Sequence, residues 1–282
     1  MKSYGLLLSV IFYSRPFLNS KLERGEGKLN YNNLSGKMAI VTGAAQGLSR
    51  GMAEGLMEAG AAVCIMDINP VAEETAKEYR KKGYACYAVI TDLGNDETRE
   101  SFFREAVRKL GGHLDILVNG AGVQRRYNSE EFPLKEWDFV MNINLRSVFA
   151  LCQLAGRIFM EQQSRGKIIN IASMLSFFGG VTVPAYAASK GGVAQITKAL
   201  CNEWAVKGIN VNALAPGYMA TEMNTDLLDE KSPRYKEITD RIPARAWGQP
   251  EDMKGPVVWL ASDASDYING AVIPVDGGYL VR

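Results

Sequence analysis

The sequence predicts one doubly wound α/β domain, a parallel sheet of about seven strands with helices on both faces. Three observations predict it. Short β-branched runs alternate with longer helical patterns from residue 37 onward, the mark of repeated βα units. The 282 residues are 47% hydrophobic and 22% charged, with 28 Gly and 10 Pro, which describes a chain with a filled core and not a disordered, collagen-like or membrane-spanning one. No linker rich in Pro, Gly or Ser and no internal repeat divides it, so strands in series belong to one sheet.

At the N-terminus Lys2 precedes an apolar run over 5–13, too short to span a bilayer. Ser14-Arg15-Pro16 follows without a small-x-small cleavage site, and 19–33 is polar. Residues 1–33 are therefore expected to be an extension that is disordered or arises from a misplaced start, with the catalytic domain over 34–282.

Strands are expected at 38–42, 62–67, 85–90, 116–119, 167–172, 210–215 and 272–275, each short, apolar and β-branched. Helices are expected at 47–59, 70–82, 96–110, 134–163, 185–206 and 250–262, where apolar residues recur at helical spacing. The alternation breaks after Pro216. The Met- and Thr-rich stretch 218–247 has mixed charge and no strand signal, and it leaves the carboxyl end of a strand, where open α/β sheets bind ligands. It is expected to be a substrate lid.

Scarce residues narrow the chemistry. Lys plus Arg number 32 and Asp plus Glu 31, a net charge of +1 that gives no basic field for nucleic acid. His113 is the only histidine, which removes most catalytic triads and His-rich metal cages, so no metal is expected. Cys64, Cys86, Cys152 and Cys201 are far apart with no CxxC and are expected to be reduced thiols of a cytoplasmic protein.

The first strand runs into Thr42-Gly43-Ala44-Ala45-Gln46-Gly47-Leu48-Ser49 and a helix, a turn whose backbone N–H groups suit a pyrophosphate. Asp67 ends the second strand, where a carboxylate binds adenosine ribose hydroxyls and repels a 2′-phosphate, favouring NAD over NADP. Asp67 and Asn69 are also good initiators of the helix near Pro70, and both readings stand. Tyr186 and Lys190 lie four positions apart on a helical pattern and share a face. An ammonium beside a phenol favours the phenolate, which suits proton exchange with an alcohol, and Ser173 at a strand end is placed to hold the same oxygen.

Together these motifs resemble the short-chain dehydrogenase/reductase family from about residue 34 to the C-terminus. The turn is similar to the family's TGxxxGxG, Asn119-Gly120-Ala121-Gly122 to its NNAG, and Ser173 with Tyr186-Ala187-Ala188-Ser189-Lys190 to its catalytic set; Asn144 matches its fourth member. The resemblance implies a Rossmann-type fold and an NAD cofactor. It implies cofactor contacts from Gly43, Gln46, Gly47 and Leu48 of the turn, Asp67 and Ile68, and Asp92 and Leu93 after the third strand. Further contacts would come from Asn119, Gly120 and Ala121, from Pro216, Gly217, Met219 and Thr221 after the sixth strand, and from Tyr186 and Lys190. It further implies Tyr186 as general acid/base, Lys190 lowering its pKa and binding the nicotinamide ribose, Ser173 orienting the reacting oxygen, and Asn144 supporting a water-linked proton relay. The chain departs from the pattern at Ser49, where the family has its third glycine, and at Gly120, where it has a second asparagine.

Within the family, four loops resemble sugar-acid dehydrogenases of the 2-deoxy-D-gluconate 3-dehydrogenase and 2-dehydro-3-deoxy-D-gluconate 5-dehydrogenase type. They are Gly122-Val123-Gln124-Arg125-Arg126, Ile171-Ala172-Ser173-Met174-Leu175-Ser176-Phe177, Ala215-Pro216-Gly217-Tyr218-Met219-Ala220-Thr221 and Arg241-Ile242-Pro243-Ala244-Arg245 with Trp247-Gly248. Such a substrate carries a carboxylate and needs a cation, for which Arg125 or Arg126 is expected, one of the two facing the pocket, with Arg245 competing. Met174, Ser173 and Tyr186 complete the expected substrate contacts. The alternatives are gluconate 5-dehydrogenase, 3-oxoacyl-(acyl carrier protein) reductase, which Asp67 disfavours, and an NAD-binding regulatory protein, against which the four filled catalytic positions argue. The resemblance implies a homotetramer, with the helices around Asn144 and Tyr186, the run 257–260 and the tail 279–281 at subunit contacts and no membrane partner.

Overall fold

All seven expected strands form one parallel sheet in the order β3-β2-β1-β4-β5-β6-β7. The computed structural model describes residues 32–229 and 231–282, so the expectation for 1–33 falls, apart from Asn32 and Asn33, outside the described residues. The strands are β1 (Met38–Thr42), β2 (Ala62–Asp67), β3 (Cys86–Ile90), β4 (Ile116–Asn119), β5 (Gly166–Ile171), β6 (Ile209–Pro216) and β7 (Val272–Val275). The helices are α1 (Gly47–Glu58), α2 (Val71–Lys81), α3 (Arg99–Lys109), α4 (Leu134–Met141), α5 (Ser147–Glu161), α6 (Pro184–Trp204), α7 (Pro233–Arg241) and α8 (Lys254–Ala261).

The period-two rule is visible along β1. Ala39 and Val41 pack into the layer with Met52 and Leu56 of α1 and Val257 and Leu260 of α8, whereas Ile40 packs into the opposite layer with Phe103, Leu151 and Phe159. Both faces of the sheet are thus covered, and burial of both faces is why its strands read as continuous apolar runs. The segment Leu134–Glu161 is long and apolar enough to cross a membrane, but its most apolar part is half buried inside the protein, with Cys152, Ala155 and Phe159 of α5 fully enclosed by the core. Burial pushes the thiols of Cys64, Cys86 and Cys152 up to about 12, which keeps them protonated and makes them small core side chains.

Four elements differ from expectation. The helix expected over 134–163 is interrupted by a π turn, Asn142–Arg146. The helix expected from 96 begins at Arg99, because the Asn95 side chain accepts from the Glu97 N–H and holds a turn ahead of it. The helix expected from 250 starts as a 3-10 turn, Pro250–Met253. The stretch 218–247 contains a 3-10 turn, Glu222–Leu227, and α7, initiated by Ser232, whose hydroxyl accepts from the Arg234 N–H, with Pro233 at its first position.

The base of that excursion is pinned: Met219 and Gly248 form a parallel bridge, Trp247 stacks on Tyr235 at 5.6 Å, and its indole N–H donates to Thr239. Within the run 257–260, Val257 is fully buried and Leu260 1% exposed, because α8 lies against α1, while Trp259 is half-buried.

Candidate active site

Where β1 and β4 lie side by side, their connections leave in opposite directions, and the carboxyl ends of the strands open into a crevice. A cavity of about 830 Å3 occupies it. Thr42 locks the two strand ends together, its hydroxyl accepting from the N–H groups of Gly120 and Ala121 at 3.1 Å each. The approach is so close that a Cβ on Gly43 would stand 2.7 Å from the Ala121 Cα.

The glycine turn forms one wall. Gly47 has φ +64, and among the described residues nothing lies within reach where its side chain would project and no side chain caps the N-terminus of α1. A helix start left uncapped beside a cavity presents free N–H groups to an anion. Thr91 also lines the cavity, is 4% exposed, and its hydroxyl lacks a partner among the described residues. These features fit a dinucleotide. Asp67 lines the cavity with its carboxylate held from two sides, Ala45 N–H donating to one oxygen and Asn69 N–H to the other, both at 2.9 Å. It therefore faces the cavity and orders the turn after β2 at once. Gln46, Leu48, Ile68, Asp92, Leu93, Gly120 and Ala121 also line the cavity, as do Pro216, Gly217, Met219 and Thr221.

Asn119 does not. It is 1% exposed, and its amide donates to Asn170 at 2.9 Å and to the Cys152 sulfur at 3.3 Å. Asn170 in turn donates to Thr197, so a buried polar chain ties β4 through β5 to α6. The expected cofactor contact is a link within the core.

Ser173, Tyr186 and Lys190 all line the cavity. Ser173 follows β5, and its hydroxyl accepts from the Leu175 N–H while Ser176 donates to the Lys190 carbonyl, fixing the strand end against α6. The helical spacing of Tyr186 and Lys190 holds, with the Lys190 Nζ 5.6 Å from the phenol ring centroid. The expected electrostatics do not. Burial pushes the Tyr186 phenol up and only the nearby Ser173 hydroxyl pulls it down, while the Lys190 ammonium donates to the Ile171 carbonyl at 2.6 Å. Burial lowers Lys190 itself to about 8.

Asn144 lies outside the cavity, fully buried in the π turn. Its carboxamide accepts from the Val123 N–H at 2.8 Å and donates to the Val123 carbonyl and to Ser189. The side chain clamps the chain after β4 to α6. The π turn explains its reach, since one extra residue in a helical turn redirects a side chain that regular helix would carry elsewhere.

Of the arginines, Arg126 lines the cavity and Arg125 does not. Arg125 pairs with Glu136 at 2.8 Å and lies over the Phe139 ring. Arg245 pairs with Asp240 on the exposed side of α7. Arg241 was not expected, yet it reaches the cavity rim over the Tyr279 ring at 4.3 Å, with no carboxylate partner among the described residues. Its signal was available: Arg234 and Arg241 are two turns apart on one face of α7 and both line the cavity. Tyr279, expected at a subunit contact, is 4% exposed and forms part of the wall.

Comparison with known proteins agrees with this layout. A family model described as enoyl-(acyl carrier protein) reductase matches residues 43–280. The chain is 51% identical over 255 residues to 2-dehydro-3-deoxy-D-gluconate 5-dehydrogenase of Dickeya dadantii, covering 90% of this chain and 99% of that one. The Escherichia coli protein of the same name is 51% identical over 251 residues, covering 89% and 98%. A gluconate 5-dehydrogenase from Burkholderia cenocepacia, solved with NADP and tartrate, superposes with a TM-score of 0.83 at 38% identity, covering 89% and 98%. This chain belongs to the short-chain dehydrogenase/reductase family, oxidoreductases that use a pyridine nucleotide.

Proposed function

We propose that the chain is an NAD-dependent dehydrogenase interconverting a secondary alcohol and a ketone on a deoxy sugar acid, of the 2-dehydro-3-deoxy-D-gluconate or 2-deoxy-D-gluconate type. Residues 34–282 would form its single catalytic domain and 218–247 its lid. The observation that carries the reading is a cavity holding Ser173, Tyr186 and Lys190, with Arg126 and Arg241 on its wall and no carboxylate paired to either among the described residues. Such cations suit a substrate carboxylate.

When bound, the nicotinamide supplies or accepts the hydride. Tyr186 holds the proton that passes to or from the substrate oxygen, and the Ser173 hydroxyl hydrogen-bonds that oxygen, stabilising the charge that develops there. Lys190, buried beside the phenol ring, binds and orients the nicotinamide ribose. Tyr218, at the start of the lid, and Tyr279 pack edge to face and line the cavity, apolar surface that would help keep water from the reacting atoms.

NAD is supported by Asp67, a fixed carboxylate that would accept from ribose hydroxyls and repel a 2′-phosphate. The Burkholderia relative, by contrast, was solved with NADP. Asp67→Ala is expected to shift the ratio of kcat/KM for NAD over NADP toward NADP by about 10- to 100-fold, because removing a repulsive charge relieves the discriminated ligand most. An unshifted ratio would mean that Asp67 serves only the turn.

Absorbance of NADH at saturating cofactor tests the substrate class, with 2-deoxy-D-gluconate and D-gluconate as alcohols and 2-dehydro-3-deoxy-D-gluconate and 5-keto-D-gluconate as ketones. Arg126→Ala is expected to raise KM for the sugar acid by about tenfold or more while sparing NADH binding, since a charged hydrogen bond is lost from substrate alone. Unchanged KM in both Arg126→Ala and Arg241→Ala, or activity confined to acyl thioesters and simple ketones, would remove the sugar-acid reading.

A cytoplasmic homotetramer is part of the proposal. Protonated buried thiols at Cys64, Cys86 and Cys152 support a reducing compartment, and Phe139 and Phe149, 38% and 44% exposed on α4 and α5, support a subunit contact there. A monomeric mass by light scattering would count against the tetramer.

A further inference from the structure

The two positions at which the chain departs from its family's pattern meet in space. Ser49 is the third residue of α1, and Gly120 follows β4. A Cβ built on Gly120 would lie 2.3 Å from the Ser49 Oγ and 3.1 Å from its Cβ, distances at which two side chains cannot coexist. Nor can the backbone step aside, since the Gly120 N–H donates to the Thr42 hydroxyl and the same hypothetical Cβ would stand 2.9 Å from the Thr42 carbonyl. Gly120 is not among the residues with positive φ, so its backbone conformation is open to any residue. Glycine is required there for space.

Ser49 is 5% exposed and lines the cavity, and its hydroxyl has no hydrogen-bond partner among the described residues. A hydroxyl at the cavity wall without a protein partner is free to bond a group that enters the cavity. The α1 N-terminus, Thr91 and Gly47 mark this wall as the place for the dinucleotide.

We infer that Ser49 and Gly120 are a reciprocal pair in which the serine fills the space over the glycine and offers its hydroxyl to the bound pyridine nucleotide, taking over from β4 the side chain at this point of the wall. The cofactor contact rests on the reading of this cavity as the nucleotide site; the steric exchange does not. The pair makes Ser49 a cofactor-contact residue and Gly120 the position that permits it.

The test is a cycle of Ser49→Ala, Ser49→Gly, Gly120→Asn and the double Ser49→Gly/Gly120→Asn, read by NADH and NADPH dissociation constants from fluorescence titration and by the melting temperature of the cofactor-free protein. Ser49→Ala keeps the Cβ and is expected to weaken binding of the preferred nucleotide about 3- to 10-fold with an unchanged melting temperature, the loss of one neutral hydrogen bond. Gly120→Asn alone is expected to lower the melting temperature and to weaken binding by about tenfold or more, and the double variant to recover part of both losses, the share due to contact with Ser49, while the close approach to the Thr42 carbonyl remains.

Binding unchanged in Ser49→Ala would overturn the cofactor contact. Losses in the double variant equal to the sum of the single losses would overturn the steric exchange. Wild-type protein that binds neither nucleotide would overturn the nucleotide reading of the cavity and the contact with it, leaving the exchange to the melting data.

Discussion

Tyr186→Phe is expected to lower kcat/KM by about 100- to 10,000-fold in either direction, the size of a lost general acid/base, while NADH binding and the melting temperature stay close to wild type. The phenol is the cavity group suited to exchange the proton: the Ser173 hydroxyl, which accepts from the Leu175 N–H, keeps its own O–H to hydrogen-bond the substrate oxygen, and the Lys190 ammonium is anchored on the Ile171 carbonyl. Burial holds the phenol above its ordinary range, so it keeps its proton across neutral pH. The sign follows directly. Ketone reduction needs the protonated phenol and should be flat through neutral pH, whereas alcohol oxidation needs its conjugate base and should rise with pH. Stopped-flow rates for both directions check this, and a Tyr186→Phe variant retaining more than about a tenth of wild-type turnover would show that another group moves the proton.

Lys190→Met is expected to reduce turnover by about 100-fold or more and yet to leave the cofactor-free protein at least as stable as wild type, an inverse relation between stability and function. Burial lowers Lys190 from 10.5 to about 8, so keeping it charged below pH 8 costs about 3 kcal/mol. Between pH 8 and 10.5 the unfolded chain holds a proton that the folded chain has released, so wild-type stability rises with pH through that window. Against the relief in the variant stands the Ile171 carbonyl, which loses its donor at about 1–2 kcal/mol. The net gain is about 1–2 kcal/mol at pH 7, shrinking as pH climbs past 8. Melting curves from pH 7 to 10 check it. A variant markedly less stable than wild type at pH 7 would mean that Lys190 is held mainly for structure.

Much of the fold was legible because buried parallel strands are short apolar runs and helices carry their own periodicity. Five of the helix patterns and all seven strands fall within a few residues of the observed elements. The miss within 218–247 had a local cause: α7 is short and strongly polar, with Ile238 its buried residue, so it lacks the apolar run that marks the other helices, and its clearest signal was the Ser232-Pro233 start. The π turn had no such signal, because Asn142–Arg146 keeps helical composition and differs only in where its hydrogen bonds close.

The site divides in the same way. Gly43, Gly47, Asp67, Ser173, Tyr186 and Lys190 reach the cavity because strand ends and helix spacing place them there, and both are properties of the local chain. Asn119 and Asn144 stand in the same motifs but turn into the core, where the Asn119 amide N–H groups donate to Asn170 and Cys152 and the Asn144 carboxamide bonds Val123 and Ser189. Adjacent Arg125 and Arg126 were bound to diverge, but Glu136 and the Phe139 ring decided which one left the cavity. The sheet, the nucleotide turn and the spacing of the catalytic set were readable along the chain, since those depend on periodicity and on near neighbours. Which cation faces the cavity, what the amides bond and how closely Ser49 approaches Gly120 emerge in the folded chain, because these depend on which side chains compete for the same space and the same hydrogen bonds.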